Sequence, residues 1–452
     1  MGKVQAENLT RRNFIGSAVG AGAFYLAGSG RAFGAGAPSN RVRLAIVGCR
    51  EQGRGQAVLR AAMKQPGVEI AYVCDVDSRA RDWAAQLVEK ETGFRPRKEA
   101  DFRKLLEDPL LDGVISETPD HFHAYSAIQA MKAGKAVYVE KPCAFCPREC
   151  ELIVATQKST GRVFQMGNQR RASLSYNAAM KVLKSSESPI GRMKWAKCWY
   201  HANRLSIGNG KPCAVPEWLD WDLWQGPAPR RDFRDNFVHY NWHWFKHWGT
   251  AESGNNAPHF ADIARWALDG EYPSRVLCTG GKMFDRGDDY EWPDTFNMSF
   301  EYPNDTFIMY ELASRSFQKS SMDLSTGALV YAEGGSVLFS PSDCVIVYDA
   351  KGKVIRKWES NGQTETGSLT APAPGLDMLH TGKFVECVRA GDTRTYAPAP
   401  DAAMTSYMPL VANIALDIRK PVELDPRTGA LLTKEARPLW AREYEKGWEL
   451  EA

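Results

Sequence analysis

The chain is predicted to be an α/β protein in which a doubly wound parallel-sheet domain is joined to an α+β domain with a large, mostly antiparallel, open-faced sheet. Three observations predict this. Between residues 41 and 167 short apolar runs alternate with helical stretches, the pattern of a parallel sheet with right-handed crossovers. Further on, half-apolar runs punctuated by Gly, Asn and Pro read as antiparallel strands with one buried face. A length of 452 residues, 44% hydrophobic and 25% charged, makes two domains the natural count. With 57 basic against 54 acidic residues the net charge is only +3, and no basic run stands out, so nucleic acid is not an expected partner.

In chain order, residues 1–37 read as an export signal. Thr10-Arg11-Arg12-Asn13-Phe14-Ile15-Gly16 precedes a weakly apolar stretch through Leu26 and small-residue sites near Ala32-Phe33-Gly34 and Ala35-Gly36-Ala37. The stretch is shorter than the roughly 20 apolar residues a spanning helix needs. The twin-arginine pattern implies export as a folded protein to the periplasm or cell exterior, with no membrane insertion after signal removal. Residues 38–169 form the parallel domain. Its segments are VRLAIVG and a helix to Lys64; VEIAYVCD and a helix to Lys90; DGVISET and HAYSAIQAMKAG; AVYVEKP and a helix to about Ser159; then VFQMG.

Residues 170–400 carry the second domain. A helix over Ser175 to Lys184 leads to WAKCWYHA and a Trp/Pro-rich loop from Asn203 to Trp244. A helix near Asn256 to Leu268 follows, and then the alternating runs TFNMSFEY, TFIMYELA, ALVYAEGG, VLFS and CVIVYDA. Two late helices, Leu376 to Ala390 and Ala402 to Ile418, are expected to pack back on the first domain, with residues 401–452 forming a C-terminal helix and tail. Ten cysteines are too sparse for a disulfide scaffold. Cys143, Cys146 and Cys150 lack the ligands that would complete a metal site and read as small buried thiols, with a disulfide among them left open.

The first strand, Val42 to Val47, runs into Gly48-Cys49-Arg50-Glu51-Gln52-Gly53-Arg54-Gly55 and then a helix. Gly48, Gly53 and Gly55 permit a tight turn that brings helix N-terminal amides against a pyrophosphate, which makes this a Rossmann-like, dinucleotide-binding domain. Arg50 stands where a glycine would allow the closest approach. Asp75 ends the second strand, where a carboxylate accepts hydrogen bonds from an adenosine ribose. That favours NAD, and NADP stays open because Arg79 and Arg81 could meet a phosphate.

A second set of motifs is more specific. Glu117-Thr118-Pro119-Asp120-His121-Phe122-His123, followed by AxxAxxAGKxVYVEKP, resembles the glucose-fructose oxidoreductase and inositol dehydrogenase family (Gfo/Idh/MocA) at the loop lining the nicotinamide and at Glu140-Lys141-Pro142. The likeness continues through Gly167-Asn168-Gln169-Arg170-Arg171, EWLDWDLWQGPAP, WHWFKHWGTAESGNNAPHFADIARW and HTGKFVECVRAG, and is greatest to the exported, twin-arginine branch.

The resemblance implies an NAD(P)-dependent oxidoreductase with a tightly bound cofactor, which transfers hydride between the cofactor and a carbinol of a sugar, glycoside or cyclic polyol. It also implies that Lys141 and His259 share the proton transfer, and that the protein is a homo-oligomer. Thr118, Pro119, His121, His123, Glu140, Asn168 and Gln169 would join the glycine turn in holding the cofactor. Hydride leaves a carbinol only as its hydroxyl loses a proton, so a base beside the nicotinamide is a chemical necessity.

Arg170 and Arg171 suit planar hydrogen bonding to substrate. On the predicted helix Asn255, His259 and Asp262 share one side, with Asn256 beside them, and Asn255 stands where relatives often have Asp. Asp262 could fix the His259 tautomer or merely salt-bridge the helix. Trp242, Trp244 and Trp248, with His243, Lys246 and His247, read equally as carbohydrate floor or as core. Two alternatives stand beside the dehydrogenase. One is a redox-neutral, NAD-dependent glycoside hydrolase or lyase working by oxidation, elimination and re-reduction. The other is a non-catalytic sugar-binding protein on the same fold. No metal is expected.

Overall fold

The computed structural model describes residues 41–284, 286–316, 318–359 and 374–451. The predicted twin-arginine signal lies outside them. The first domain is a six-stranded parallel sheet in the order β3-β2-β1-β4-β5-β6. Its strands are β1 (Val42–Val47), β2 (Val68–Cys74), β3 (Arg97–Glu99), β4 (Gly113–Ser116), β5 (Ala136–Val139) and β6 (Phe164–Met166). Four of the six residues of β1, Leu44 to Val47, are buried consecutively, as a strand covered on both faces requires. β3 has no counterpart in the sequence reading: it is the three-residue run Arg-Lys-Glu, paired only along the edge of β2, and carries no apolar signal.

The crossovers are α1 (Arg54–Met63), α2 (Ser78–Thr92), the single turn α3 (Phe102–Leu105), α4 (Asp120–Lys132) and α5 (Pro147–Thr160). Asp77 caps α2 by accepting from the Arg79 amide, and Gly93 ends it in the left-handed region at φ +73°. The order reverses between β1 and β4, which opens a crevice at their carboxyl ends.

The second sheet has nine strands in the order β14-β13-β12-β11-β7-β10-β9-β8-β15. Central β7 (Met193–His201) pairs antiparallel with β11 (Thr326–Ala332) and parallel with β10 (Phe307–Ala313), so the sheet is mostly but not wholly antiparallel. The meander continues through β12 (Gly335–Ser340), β13 (Cys344–Asp349) and β14 (Val354–Glu359). The other flank holds β9 (Thr295–Glu301), β8 (Arg275–Gly281) and β15 (Val422–Glu423). Along β9 and β10 alternate residues are buried: Phe296, Met298 and Phe300 beside Ile308, Tyr310 and Leu312. Each such side chain contributes about 1.5–3 kcal/mol of burial.

α6 (Leu174–Leu183), the short α7 (Trp221–Gln225) and α8 (Ala251–Leu268) complete this half, α8 lying against β7, β10 and β11. α8 begins five residues earlier than the sequence suggests, and this carries Glu252 and Asn255 onto the helix. α9 (Pro374–Ala390) falls in the span assigned to the second domain, yet Phe384, Val385 and Cys387 sit in the core of the parallel domain with Leu44, Ile46 and Val58. α10 (Ala399–Ile418) packs between α5, α8 and β8 and knits the two halves together. Cys143, Cys146 and Cys150 are buried thiols, and no His/Cys/Asp/Glu group able to hold a metal occurs among the described residues. No described helix is long and apolar enough to cross a membrane.

Candidate active site

A cavity of about 540 Å³ occupies the β1/β4 crevice and continues beneath α8. Its floor is the glycine turn. Gly48 sits at φ +80°, and a Cβ there would come 2.5 Å from the Glu117 carbonyl oxygen. A Cβ on Gly55 would come 2.0 Å from Gly48 O, so α1 reaches β1 only because both residues lack side chains. Gly53 supplies no side-chain cap to α1, which leaves the helix's first amides facing the cleft, the arrangement that receives a pyrophosphate. Arg50 does not prevent this turn: its carbonyl accepts from Gly53 N at 3.0 Å and its side chain lies along the cleft wall facing Asp75 and Asp77.

Asp75 Oδ2 accepts from Cys49 N (2.8 Å) and Oδ1 from Asp77 N (2.9 Å), so it both braces the glycine turn and rims the cavity. Burial pushes its carboxyl up, against the pull of those two amides. The arginines held open for a second phosphate are committed elsewhere. Arg79 pairs with Asp77 at 2.9 Å and lies 3.5 Å over the Trp218 ring, and Arg81 donates to the Asp75 carbonyl oxygen.

At the other end Lys141 Nζ donates to Asn255 O (2.5 Å) and Asn255 Oδ1 (3.1 Å). The amide is oriented from behind: Asn255 Nδ2 donates to Glu252 Oε1 at 3.2 Å, and Glu252 is fully buried against Arg204 at 3.1 Å. Burial lowers the Lys141 pKa from that of a free lysine, partly offset by Glu140, Asp120 and Glu252. His259, one turn along α8 and 8% exposed, is driven well below the usual histidine range by burial and then by the Lys141 charge, so it is neutral and able to accept a proton. His243 is pushed down to about 3, chiefly by burial. Its Nδ1 donates to Tyr240 O at 2.6 Å, which leaves Nε2 as a hydrogen-bond acceptor. Trp242 stacks on the His243 ring at 3.6 Å.

The wall between these ends is cross-braced. Glu140 accepts from Arg54 Nε (3.0 Å), Gln169 Nε2 (2.9 Å) and Lys141 N (3.0 Å). His123 places Nδ1 2.6 Å from Pro142 O and Nε2 2.6 Å from Thr118 O. The His123 ring thus ties the Thr118-Pro119 loop to the Lys141-Pro142 segment.

Six residues proposed from sequence are not in the cleft wall. His121 turns away, its Nε2 meeting Trp224 O at 3.0 Å. Asp262 is 1% exposed and accepts from Arg171 Nε (2.5 Å), Asn168 Nδ2 (2.7 Å) and Thr405 Oγ1 (2.7 Å). Burial works to raise its carboxyl, yet Arg171 and Arg265 hold it far below the usual range, so it is an ion-pair anchor rather than the orienter of His259. Arg171 and Asn168 serve that anchor. Arg170 lies 4.5 Å over Phe260 and donates to Pro341 O, and Asn256 turns its amide to Glu252. Of the Trp/His/Lys group only Trp242 and His243 line the cavity. Trp244 and Trp248 are core, Lys246 pairs with Asp417 at 2.6 Å, and His247 Nε2 meets Pro229 O.

Sequence reasoning passed over five groups that the fold brings to the site or directly behind it: Arg54, Glu117, Tyr240 and Trp448 in the wall, and Asp377 as the partner of Arg54. Arg54 was readable, because it stands inside the glycine turn and opens α1. Trp448 arrives from the C-terminal tail by packing on Tyr125 at 4.8 Å, which nothing near it in sequence announces.

Known proteins share these features unevenly along the chain. Residues 42–168 match the family model of the NAD-binding Rossmann fold of the Gfo/Idh/MocA oxidoreductases. A glycosyl hydrolase family 109 protein of Stenotrophomonas maltophilia is 31% identical over 164 residues, 35% of each chain. An inositol 2-dehydrogenase of Salmonella paratyphi B is 30% identical over 129 residues, 28% of this chain and 37% of that one. The match thus spans about a third of the length of these curated relatives. A levoglucosan dehydrogenase solved in complex with NADH superposes with a TM-score of 0.63 over 85% of this chain and 99% of its own, at 16% identity, a likeness of fold across both domains. Through its glycine turn, its switch-point crevice and its Glu140-Lys141-Pro142 segment, the parallel domain over residues 42–168 is similar to the NAD-binding Rossmann domain of the Gfo/Idh/MocA oxidoreductases.

Proposed function

We propose that the protein is an NAD-dependent oxidoreductase that oxidises a carbinol of a sugar, glycoside or cyclic polyol on a tightly held dinucleotide. The observation that carries this reading is the Lys141 amine, held 3.1 Å from a neutral amide oxygen, close to a neutral His259, in a cleft that begins at a pyrophosphate-type glycine turn. Oxidised nicotinamide, when bound, supplies the hydride acceptor. The chain supplies the rest. Lys141 Nζ takes the hydroxyl proton, Asn255 Oδ1 fixes Nζ without the counter-charge that would favour the ammonium, and the His259 ring is the second acceptor. His243 Nε2 and the Trp242 face offer a hydrogen bond and an apolar surface to a sugar ring. Asp75 at the ribose end, with Arg79 and Arg81 already engaged, supports NAD over NADP.

The glycosyl hydrolase relative favours a second reading on the same residues, in which oxidation is followed by elimination of the glycosidic group and re-reduction. The twin-arginine pattern supports export. An exported enzyme meets no free nicotinamide pool, so a cofactor regenerated in place suits both readings. A homo-oligomer is part of the same proposal, by analogy with the family.

The test is to denature the purified protein and identify any released dinucleotide by mass and absorbance, then to offer sugars and glycosides to the native protein. About one NAD(H) per chain, with a sugar-dependent change in nicotinamide absorbance, supports the oxidoreductase. Release of an aglycone without net NADH selects the second reading. No dinucleotide, and none bound on addition, refutes both.

A further inference from the structure

Glu117 follows the end of β4, its amide donating to Val47 O at 2.7 Å and its carbonyl closed over by Gly48. The side chain lines the cleft, yet both carboxylate oxygens are buried without a hydrogen-bond partner. The titratable and charged groups that face it are Arg54 on α1, Tyr138, Glu140 and Lys141 on and after β5, and Asp377 on α9. The cations among them are committed. Arg54 gives Nε to Glu140 and both terminal nitrogens to Asp377, and Lys141 gives Nζ to Asn255. Arg54 is spent on two carboxylates, Glu140 and Asp377, and Glu117 is a third. A buried carboxylate with neither counter-charge nor hydrogen bond is strongly disfavoured, so this group rests as the neutral acid. Burial and then repulsion from Glu140 raise its pKa accordingly.

An oxidised nicotinamide would bring the missing positive charge into this cleft and a reduced one would not. We propose, building on the NAD reading above, that Glu117 is the proton-holding counter-group of the dinucleotide, ionised opposite the cationic ring and protonated opposite the neutral one. The step then balances inside the site. The carbinol C–H gives hydride, with its electron pair, to the oxidised ring. The O–H proton passes through Lys141 Nζ to the Glu117 carboxylate, leaving carbonyl compound, reduced ring and Glu117 acid. The reverse step returns both, so a cofactor regenerated in place needs no proton from solvent.

The test is competition between NAD+ and NADH on the full chain, read by bound NADH fluorescence across the neutral pH range. For the wild type, the affinity for NAD+ relative to NADH rises by up to about tenfold per pH unit, because one proton is released with NAD+. For Glu117→Gln, of the same shape, the ratio is flat. A flat ratio in the wild type, or the same slope in the variant, overturns the proposal. Should the variant not fold, the wild-type infrared spectrum decides. A protonated-carboxyl band present with NADH and lost with NAD+ supports the assignment, and a band unchanged between the two overturns it. Failure of the wild type to bind either dinucleotide overturns the NAD reading itself, and this inference with it.

Discussion

Substituting Asn255→Asp probes the Lys141 centre without changing its shape. A carboxylate oxygen would replace the neutral oxygen now 3.1 Å from Lys141 Nζ. Two unit charges at that 3.1 Å interact by about 5 kcal/mol at an effective dielectric near 20 and by about 1 kcal/mol in water, and this partly exposed cleft lies between those limits. Glu252, now 3.2 Å from Asn255 Nδ2, would repel the new charge and offset part of the gain. At 1.36 kcal/mol per pH unit the Lys141 pKa is expected to rise by about one to three units. The sign is fixed by the base role. Wild-type burial lowers the Lys141 pKa and so supplies neutral amine, whereas the new carboxylate favours the ammonium. Turnover at neutral pH therefore falls about tenfold for each unit of rise and recovers as pH passes the new value. Two assays report on this: the pH profile of sugar-dependent reduction of the bound cofactor, and the pH dependence of Lys141 labelling by an amine-selective reagent, followed by mass spectrometry. Superimposable profiles for wild type and variant would refute the assignment of Lys141 as the base.

Four further substitutions separate chemistry from architecture. Lys141→Ala is expected to cut turnover by about 10²–10⁴-fold while the dinucleotide stays bound, and turnover at the wild-type rate would remove Lys141 from the mechanism. His259→Ala should cost a similar factor and abolish the acid limb of the rate profile. That limb lies below the ordinary histidine value because the ring gains its proton only at a strongly depressed pKa, and an unaltered limb would assign it to another group. Gly55→Ala drives a methyl to within 2.0 Å of Gly48 O, which should cost about 1–3 kcal/mol in thermal or urea unfolding and most of the dinucleotide affinity. Full affinity in that variant would show that the α1 amides do not hold the pyrophosphate. Arg171→Ala strips Asp262 of its main partner and should destabilise by about 3–5 kcal/mol with dinucleotide affinity unchanged. Because the Asp262 pKa is depressed in the fold, this difference is full at neutral pH and shrinks as acid carries the pH down through the folded value, so an unfolding series that shows no shrinkage would count against the ion-pair account.

The parallel domain was legible because its signals are local. Leu44 to Val47 form an unbroken apolar run, the glycines follow at once, and the next strand ends in Asp75, so periodicity, turn chemistry and spacing agree within about 30 residues. The second sheet was legible through the alternation in β9 and β10. β3 was not, since three charged residues held along one edge give no apolar pattern. Of the candidate site residues, the fold gathers Gly48, Gly55, Asp75, Lys141, Asn255 and His259 around one cavity. Of the two roles the sequence left open for Asp262, the fold shows the salt bridge, to Arg171 and Arg265. Residues three and four apart share a face, but a face about 100° wide can touch a cleft along one edge and a buried arginine along the other.

What sequence order conceals most is charge balance. Each residue of the Arg54, Glu117, Glu140, Lys141 and Asp377 cluster is unremarkable alone, and they stand as far as 323 positions apart. Only when α1, β4, β5 and α9 converge does it appear that Arg54 is spent on two of three carboxyls, and with it the buried acid that has nothing to pair with. Motif matching finds Glu140 and Lys141 because they are adjacent in one segment. It does not reach Glu117, although that residue opens the very segment on which the family likeness was read, because its significance lies in what Arg54 and Lys141 already hold. The proton inventory of the cleft, and hence the pH dependence expected of the proposed hydride transfer and cofactor binding, is therefore set by tertiary pairing rather than by the motif residues taken singly.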